Sequence, residues 1–333
     1  MQEYERNILE QYNIEVDSTR KTRGAVLCDG GQGLFLLKEV SSSENRIPVL
    51  CELYDRLTDQ GYTNVDRIIL NREGNAVSCL EDGSKYIVKQ WFRGRECDIR
   101  KAAELLDAAG TLAKLHIVMQ KELEQSVMMA EHMKEVYAKH DRELKKVRRF
   151  MRKLSPKGEF EFAFLQCFDE MYQWAEAASA ILEQSDYDRL YEESMKNNCM
   201  IHGEYNYHNI LIQREEYHPG SVAVTNFEKF KRDVQVEDLY YFLRKVMEKH
   251  GWKERLGDNI LNAYSAIKPL TKEETEYIKL RLIYPEKFWK IASSYYHSNK
   301  AWISVKSIEK LQAAIRQTKE KEKFLEQVFS YCL

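Results

Sequence analysis

The sequence has few of the residues that interrupt regular structure, with 5 prolines and 14 glycines among 333 residues. Together with 44% apolar residues, this scarcity excludes a collagen-like or low-complexity chain and indicates an ordered, helix-rich globular protein. No apolar run approaches the ~18 residues of a membrane span. The start MQEYERNILEQYNIEV also lacks the basic-then-apolar layout of a signal peptide. We therefore expect a cytoplasmic protein with no membrane partner.

A strong charge of one sign and a set of paired cysteines are also lacking. The formal net charge is −2, so no global field recruits nucleic acid or an anionic membrane. The seven cysteines are odd in number and have no CxxC or Cys/His ligand spacing. This pattern predicts free thiols in a reducing compartment rather than a disulfide framework.

Residues 21–91 carry mostly strand patterns. The apolar runs GAVLC and LFLL flank the turn-rich DGGQG and predict a hairpin that ends at Lys38. A helix is predicted from a cap region at Ser41–Ser43 to Gln60, and further antiparallel strands follow it. The pattern predicts a small α+β lobe.

The rest of the chain has mostly helical period. One buried helix face is predicted from the spacing of Leu105, Leu106, Ala109, Leu112, Ala113, His116 and Ile117. A second helical array starts at Val236, and two short strands, 210–213 and 222–227, lie between the arrays. We therefore predict a division into an N-lobe, 1–92, and a helical C-lobe, 93–333.

The segment IHGEYNYHNILI, followed by TNFEKF, carries most of the chemical information. An apolar lead-in, a His-Gly-acid turn, an Asn five residues past the acid and an apolar strand are typical of a phosphotransferase catalytic loop. There the acid accepts a hydroxyl proton, the Asn binds magnesium, and an Asp on the next strand binds magnesium too. In this chain the acid is Glu204, the first amide is Asn209, and the second metal position is the neutral Asn226. Glu228, on the same face of the predicted strand, is a candidate substitute ligand.

Lys38 is the candidate residue for nucleotide phosphates. In a phosphotransferase N-lobe a strand lysine contacts phosphates and a helix glutamate orients it, and the following helix offers Glu44 and Glu52. The alternative is an ordinary edge-strand lysine that reaches solvent. His202 is expected to brace the loop through backbone carbonyls. Glu204 is one methylene longer than Asp, so its carboxylate would overshoot a site built for Asp.

Two further clusters of residues, one basic and one aromatic, could bind a ligand or partner, but each also has a purely structural explanation. The basic block Arg142–Lys153 is compatible with an acidic partner, although a solvated helix face is commoner. A group of aromatic residues is compatible with a cage for a quaternary amine, although a helical core is commoner. Its members are Tyr284, Phe288, Trp289, Tyr295, Tyr296 and Trp302.

With these residues assembled, the chain resembles the aminoglycoside/choline phosphotransferase branch of the protein-kinase-like fold. The matching strings are LLKEV, AAGTLAKLH, HGEYNYHNILI and TNFEKF. Within that branch it is similar to the CotS-type spore coat proteins of endospore-forming Firmicutes. That similarity is carried by WFRGRECD, NFEKFKRDVQVEDLYYFLRK and YPEKFWKIASSYYHSNKAW.

This resemblance implies an antiparallel N-lobe with one helix and a large helical C-lobe that holds the catalytic-loop segment, 201–230. It also implies ATP and Mg²⁺ as cofactors, other spore coat proteins as partners, and a location in the sporulating mother cell and then the coat. Glu204 and Asn226 depart from the family's two Asp residues, which predicts weak or absent cofactor binding and impaired catalysis. Two alternatives stay open, an active phosphotransferase with a small-molecule acceptor and a nucleotide-binding regulator.

Overall fold

A computed structural model describes residues 2–22, 24–40, 45–213, 221–298 and 305–332. The chain forms two compact units, Met1–Met128 with Asn197–Arg232 and Met129–Lys196 with Asp233–Leu333. The predicted division at residue 92 falls inside the first unit and stays a prediction. Within the described residues, no helix is both long and apolar enough to span a membrane.

The first unit combines an antiparallel sheet with a few helices. Its helices are α1 (Glu3–Leu9), α2 (Arg46–Asp59) and α3 (Ala102–Val118). Its first strands are β1 (Ser18–Thr22), β2 (Ala25–Gly30), β3 (Gly33–Glu39), β4 (Ile68–Ile69), β5 (Ser78–Cys79), β6 (Lys85–Trp91) and β7 (Gly94–Glu96). The later strands are β8 (Met200–Ile201), β9 (Ile210–Gln213), β10 (Val222–Val224) and β11 (Lys231–Arg232).

The main sheet confirms the predicted hairpin. Its strand order is β1-β2-β3-β6-β4, with β5 also paired to β6. Gly30 pairs with Gly33 across a two-residue turn, and Lys38 stands opposite Ile87 on β6. Ile8 of helix α1 and Tyr12, which follows this helix, pack on buried residues of β2, β3 and β6. Pairing with both neighbouring strands, β2 and β6, therefore fixes the backbone position of Lys38 near the end of β3.

Helix α2 follows the predicted position but begins at Arg46 in the structure. It ends before Gly61, whose positive φ of +80° only glycine adopts readily. The predicted cap at Ser41–Ser43 and the candidate Glu44 lie outside the described residues. The apolar face of α2 is buried, with Leu53 and Tyr54 almost fully covered.

Two small sheets hold the catalytic-loop segment. One has the order β10-β9-β7 and the other pairs β11 with β8. The predicted strand 222–227 ends early, at Val224, because Asn226 takes a left-handed conformation with φ of +66° and a 3₁₀ turn follows over Phe227–Lys229. The prediction that Glu228 lies on a strand face beside Asn226 is therefore wrong.

The second unit consists of helices in its described residues. They are α4 (Met133–Lys153), α5 (Glu159–Gln184), α6 (Tyr187–Lys196), α7 (Val236–His250), α8 (Glu254–Ser265), α9 (Lys272–Ile283), α10 (Glu286–Tyr296), α11 (Val305–Arg316) and α12 (Thr318–Phe329). The predicted helical array is thus confirmed. The exposed side of α4 carries the basic block, including Arg142, Arg149 and Arg152.

The aromatic cluster of the second unit packs as a core. Tyr284 stacks on Tyr137 with ring centroids 3.9 Å apart, and Phe288 stacks on Phe164 at 5.0 Å. Tyr295 stacks on Phe160 at 4.7 Å. These contacts support the core interpretation over an amine cage, and Trp302 lies outside the described residues.

Helix α3 shows one error in the predicted buried face. Leu105, Leu112 and His116 are fully buried, as the spacing predicted. Ile117 is instead 51% exposed, and Leu115 is buried. The face therefore turns away from Ile117 at the end of the helix. The prediction of free thiols is confirmed, because the seven cysteines, all within the described residues, form no disulfide.

Candidate functional site

The loop after β8 turns at Gly203, where only glycine fits. Gly203 has a φ of +84°, and a Cβ atom there would lie 2.3 Å from the Lys229 carbonyl oxygen. A side chain would be strained by the backbone and blocked by this carbonyl group. The glycine therefore allows the catalytic-loop segment and the 3₁₀ turn to approach closely.

His202 braces this turn, as predicted. The ring is buried, and its Nδ1 accepts the backbone N–H of Glu204 at 3.1 Å. The ring proton is thereby assigned to Nε2, which donates to the Thr225 carbonyl oxygen at 2.9 Å. His202 thus links the two motif strings of the sequence, HGE and TNF, through backbone contacts.

The candidate base, Glu204, lies at the edge of the site. Its carboxylate is 3.2 Å from the ammonium group of Lys229, and the side chain is 41% exposed. Its backbone carbonyl accepts hydrogen bonds from the amides of Asn206 and Asn209. The group that would take a substrate proton is therefore paired with a neighbouring cation and faces solvent.

The two candidate metal amides bind each other. Asn226 Nδ2 donates to Asn209 Oδ1 at 2.8 Å, and Asn209 Nδ2 donates to the Glu204 carbonyl oxygen at 2.9 Å. Because the second contact directs the nitrogen of Asn209 to a carbonyl, its oxygen must face Asn226. The structure thus brings Asn209 and Asn226 together, as predicted, but uses the expected metal-binding oxygen for an amide contact.

Glu228 lies between two lysines. Its Oε1 accepts from Lys38 Nζ at 2.9 Å and from Lys89 Nζ at 2.8 Å. Burial alone would raise the pKa of Glu228, but Lys89 and Lys38 outweigh burial and lower this pKa below its ordinary value. Glu228 is therefore a charged carboxylate that neutralises the predicted phosphate-binding lysine.

Three buried residues behind Lys38 were missed by the sequence analysis. Lys89 and Asp66 are both fully buried and form an ion pair at 2.9 Å. Lys89 contacts Asp66 Oδ2, which also accepts the backbone N–H of Asn226 at 2.9 Å, and Tyr54 donates to Asp66 Oδ1 at 2.8 Å. Burial alone would lower the pKa of Lys89, but Asp66 and Glu228 outweigh it, raise this pKa and keep the lysine charged. The available signal was a lysine in the middle of the apolar strand YIVKQW.

The charged groups of this site balance one another. Three lysines, Lys38, Lys89 and Lys229, are paired with three carboxylates, those of Asp66, Glu204 and Glu228. Each carboxylate lies within 3.2 Å of at least one of the ammonium groups. The set is thus electrically neutral without an added cation or phosphate.

Glu52 does not join this network. Its carboxylate accepts the backbone N–H groups of Glu124 and Gln125, the latter at 2.9 Å. It therefore fastens α2 to the segment that follows α3, and Lys38 is oriented by Glu228 instead. The predicted pairing of Lys38 with Glu52 is not formed, because the helix glutamate faces other backbone donors.

The residues present, as arranged, do not fit a magnesium nucleotide. Magnesium prefers charged oxygens in octahedral geometry, whereas Asn209 Oδ1 faces an N–H group of Asn226. The carboxylate of Glu228 is held by two lysines, and the carboxylate of Glu204 by a third. A nucleotide phosphate at Lys38 would have to compete with Glu228.

An antiparallel sheet with a lysine on its third strand, followed by a His-Gly-acid loop and a helical remainder, defines the class of kinase-like phosphotransferase folds. The chain belongs to the family described as "Spore coat putative kinase YutH", whose model matches residues 5–328. The family and the α+β kinase-like fold predicted from the sequence are thereby confirmed.

Known relatives agree with this assignment. The chain is similar to spore coat protein S of Bacillus subtilis (strain 168), with 27% identity over 175 residues. This match covers 52% of the chain and 48% of the relative, so the chain spans about half the length of the curated relative it matches.

Solved structures show the same fold. An aminoglycoside phosphotransferase from Alicyclobacillus acidocaldarius subsp. acidocaldarius DSM 446 matches with a TM-score of 0.86 at 17% identity, covering 98% of this chain and 95% of that one. The spectinomycin phosphotransferase APH(9)-Ia, solved in complex with ADP and spectinomycin, has a TM-score of 0.66 at 11% identity. This match covers 95% of the present chain and 97% of that chain. At these identities the likeness concerns the fold alone.

Proposed function

We propose that this chain is a spore coat protein whose kinase-like fold transfers phosphate very slowly or not at all, and which acts through binding and assembly. The spore coat role is supported by the name of its family and by the similarity to spore coat protein S. Location in the sporulating mother cell and then in the coat, with other coat proteins as partners, is part of this proposal.

The impaired chemistry is supported above all by the contact between Asn226 and Asn209. In this hydrogen bond Asn209 Oδ1, the oxygen expected to bind magnesium, accepts from Asn226, which stands where related enzymes are expected to carry an aspartate. The loss of one well-placed electrostatic group typically costs ~100- to 1,000-fold in turnover. Two changed positions, Glu204 and Asn226, would thus reduce transfer to a background rate.

The affinity for nucleotide is a separate part of the proposal. ADP is bound by the spectinomycin phosphotransferase of similar fold, and Lys38 keeps the strand position expected to contact phosphates. Glu228 opposes this contact because it already neutralises Lys38. We expect any nucleotide binding to be weak and to gain little from Mg²⁺.

ATP turnover tests the proposal against an active phosphotransferase. We expect the purified chain to hydrolyse or transfer the ATP γ-phosphoryl group at the rate of a buffer control, with or without small hydroxyl or amine compounds. Glu204→Ala should then change nothing. Turnover above background that Glu204→Ala abolishes would instead identify an active enzyme with Glu204 as its base. ATP binding without turnover, weakened by Lys38→Met, would support the nucleotide-binding regulator.

A further inference from the structure

A cavity in the helical unit of the chain, outside the site described above, is lined by aromatic and charged side chains. Its volume is about 60 Å³, and it lies among helices α5, α7, α10, α11 and α12. Trp174, Trp252, Tyr284 and Phe288 supply aromatic walls, and Arg244 and Lys321 supply cations. Since a water molecule occupies ~30 Å³, the cavity holds a group of only a few heavy atoms.

Two residues that line this cavity each carry a buried N–H group without an acceptor. Arg244 Nε and Trp252 Nε1 make no hydrogen bond within the described part of the chain, and both residues are at least nine-tenths buried. A buried donor without an acceptor is unfavourable and calls for a bound partner. Trp252 also has a left-handed backbone with φ of +56°, which is unusual for so large a residue. Its indole is thus held here at a conformational cost.

Lys321 is a third hydrogen-bond donor of this cavity, and its ammonium group has few partners. Its ammonium group has one long hydrogen bond, 3.4 Å to the carbonyl oxygen of Ile283, and lies 5.1 Å from the ring centre of Trp174. It forms no ion pair among the described residues. An ammonium group carries three N–H donors, so two of them are open to a ligand.

The carboxylates of this cavity are already occupied by other cations. Glu248 accepts from Arg244 at 2.7 Å and from Lys287 at 3.4 Å. Glu286 Oε1 accepts from Lys290 at 3.0 Å, and Glu286 Oε2, which accepts no hydrogen bond among the described residues, lies 3.8 Å from Arg281. Lys321 therefore remains as the positive charge without a counter-ion in the cavity.

We propose that this cavity binds a small oxyanion, a carboxylate or phosphate group, through Lys321, Arg244 and Trp252. The charge of one such anion would match the unpaired ammonium group, and its oxygens would accept the N–H groups that lack partners. The aromatic walls would accommodate a small apolar substituent on the anion.

The protonation of Lys321 gives this site a pH dependence. Burial, with a smaller contribution from Arg244, lowers the pKa of Lys321 to about 7, and Glu248 opposes this shift. From α10, Lys287 and Glu286 also face the cavity. A bound anion favours the charged ammonium group, so binding takes up a proton and the affinity falls as the pH rises above about 7.

Thermal unfolding of the full chain with acetate, and separately with inorganic phosphate, tests this proposal at constant ionic strength. We expect a saturable rise in Tm with at least one of the two anions. Lys321→Met, which keeps a chain of similar length, and Trp252→Phe, which removes only the N–H group and part of the ring, should each weaken the apparent Kd about tenfold. Lys319→Met, at an exposed position of the same helix, is the matched control and should behave as the unchanged chain.

The response to each anion identifies the source of the oxyanion. An acetate response alone would assign a carboxylate, and a phosphate response alone would assign a phosphate group. The absence of a saturable shift with both anions would overturn the proposal, as would a response that Lys321→Met and Trp252→Phe retain. An equal response to tetramethylammonium chloride would also overturn it. If Lys321→Met fails to fold, Trp252→Phe carries the comparison.

Discussion

The ammonium group of Lys38 lies 2.9 Å from the carboxylate of Glu228 and is thereby tied to the turn Phe227–Lys229. The same carboxylate oxygen accepts from the buried Lys89 at 2.8 Å. A phosphate group near Lys38 would have to displace a carboxylate that two cations stabilise. This competition is a physical reason to expect weak nucleotide binding, independent of the two substituted catalytic positions.

Removing the charge of Glu228 should free Lys38. We expect Glu228→Gln to raise the affinity for ADP in the absence of Mg²⁺, measured by isothermal titration calorimetry. The same change leaves Lys89 with one counter-ion, so the free energy of unfolding in urea should fall by about 1–2 kcal/mol, less than for a fully buried pair because Glu228 is partly exposed.

Glu322→Gln, at an exposed position of α12, is the control for this experiment and should change neither quantity. An unchanged or lower ADP affinity in Glu228→Gln would show that Glu228 does not compete with a phosphate group for Lys38.

The buried pair of Lys89 and Asp66 should be sensitive to the loss of one partner. Lys89→Met leaves the carboxylate of Asp66 buried without its cation, which typically costs about 3–5 kcal/mol in the free energy of unfolding. The double change Lys89→Met with Asp66→Asn removes both charges and should recover a large part of this loss. Urea denaturation of four proteins, the unchanged chain, Lys89→Met, Asp66→Asn and the double variant, gives the coupling energy. Equal losses in the single and double variants would contradict the assigned pairing.

His140 should make the helical unit sensitive to acid. Burial lowers the pKa of His140 from its ordinary value of 6.5 to about 4, so the folded chain binds fewer protons than the unfolded chain between these values. The free energy of unfolding should therefore fall as the pH is lowered from about 6.5 towards 4. His140 stacks on Trp289, and His140→Phe keeps an aromatic partner while removing the titration. A pH profile of unfolding that is the same in both proteins would contradict this.

Asn226→Asp should partly restore a metal site. An aspartate cannot donate to Asn209 Oδ1, so this oxygen would be released and a charged oxygen placed beside it. We expect ADP to bind this variant more tightly when Mg²⁺ is present, as measured by calorimetry. Asn206→Asp adds the same charge at a loop position that the proposal gives no metal role, and it should show no such gain. Equal Mg²⁺ effects in both variants would mean that Asn226 does not stand at the metal position.

Most of the fold could be predicted from local patterns. The hairpin of β2 and β3, helix α2 and the helical array from Val236 all follow from alternation, turn residues and helical spacing. The predicted burial of Ile117 was wrong, because helical period alone does not show where the elements that pack on α3 end. Helix α1 was not predicted, because its packing on the sheet depends on contacts distant in sequence.

The residues of the candidate site could be found by motif, but their partners could not. The sequence places Glu204, Asn209 and Asn226 at the spacing of a catalytic loop, and the structure brings the two amides together. Nothing in the sequence indicated that Glu228 would pair with Lys38, since 190 residues separate them. The role of the buried Lys89 was missed for the same reason, because its partners Asp66 and Glu228 lie elsewhere in the chain. A charged residue in an apolar strand shows its role only when its counter-ion from another element is known.

The dependence of ADP binding on Mg²⁺ in the unchanged chain tests the central claim most directly. Isothermal titration calorimetry with ADP, in millimolar Mg²⁺ and in EDTA, compares the two affinities under otherwise identical conditions. The proposal that the metal site is lost predicts affinities within about twofold of each other, because an amide contact holds the oxygen that magnesium would need. An affinity that Mg²⁺ raises tenfold or more, about 1.4 kcal/mol, would contradict it.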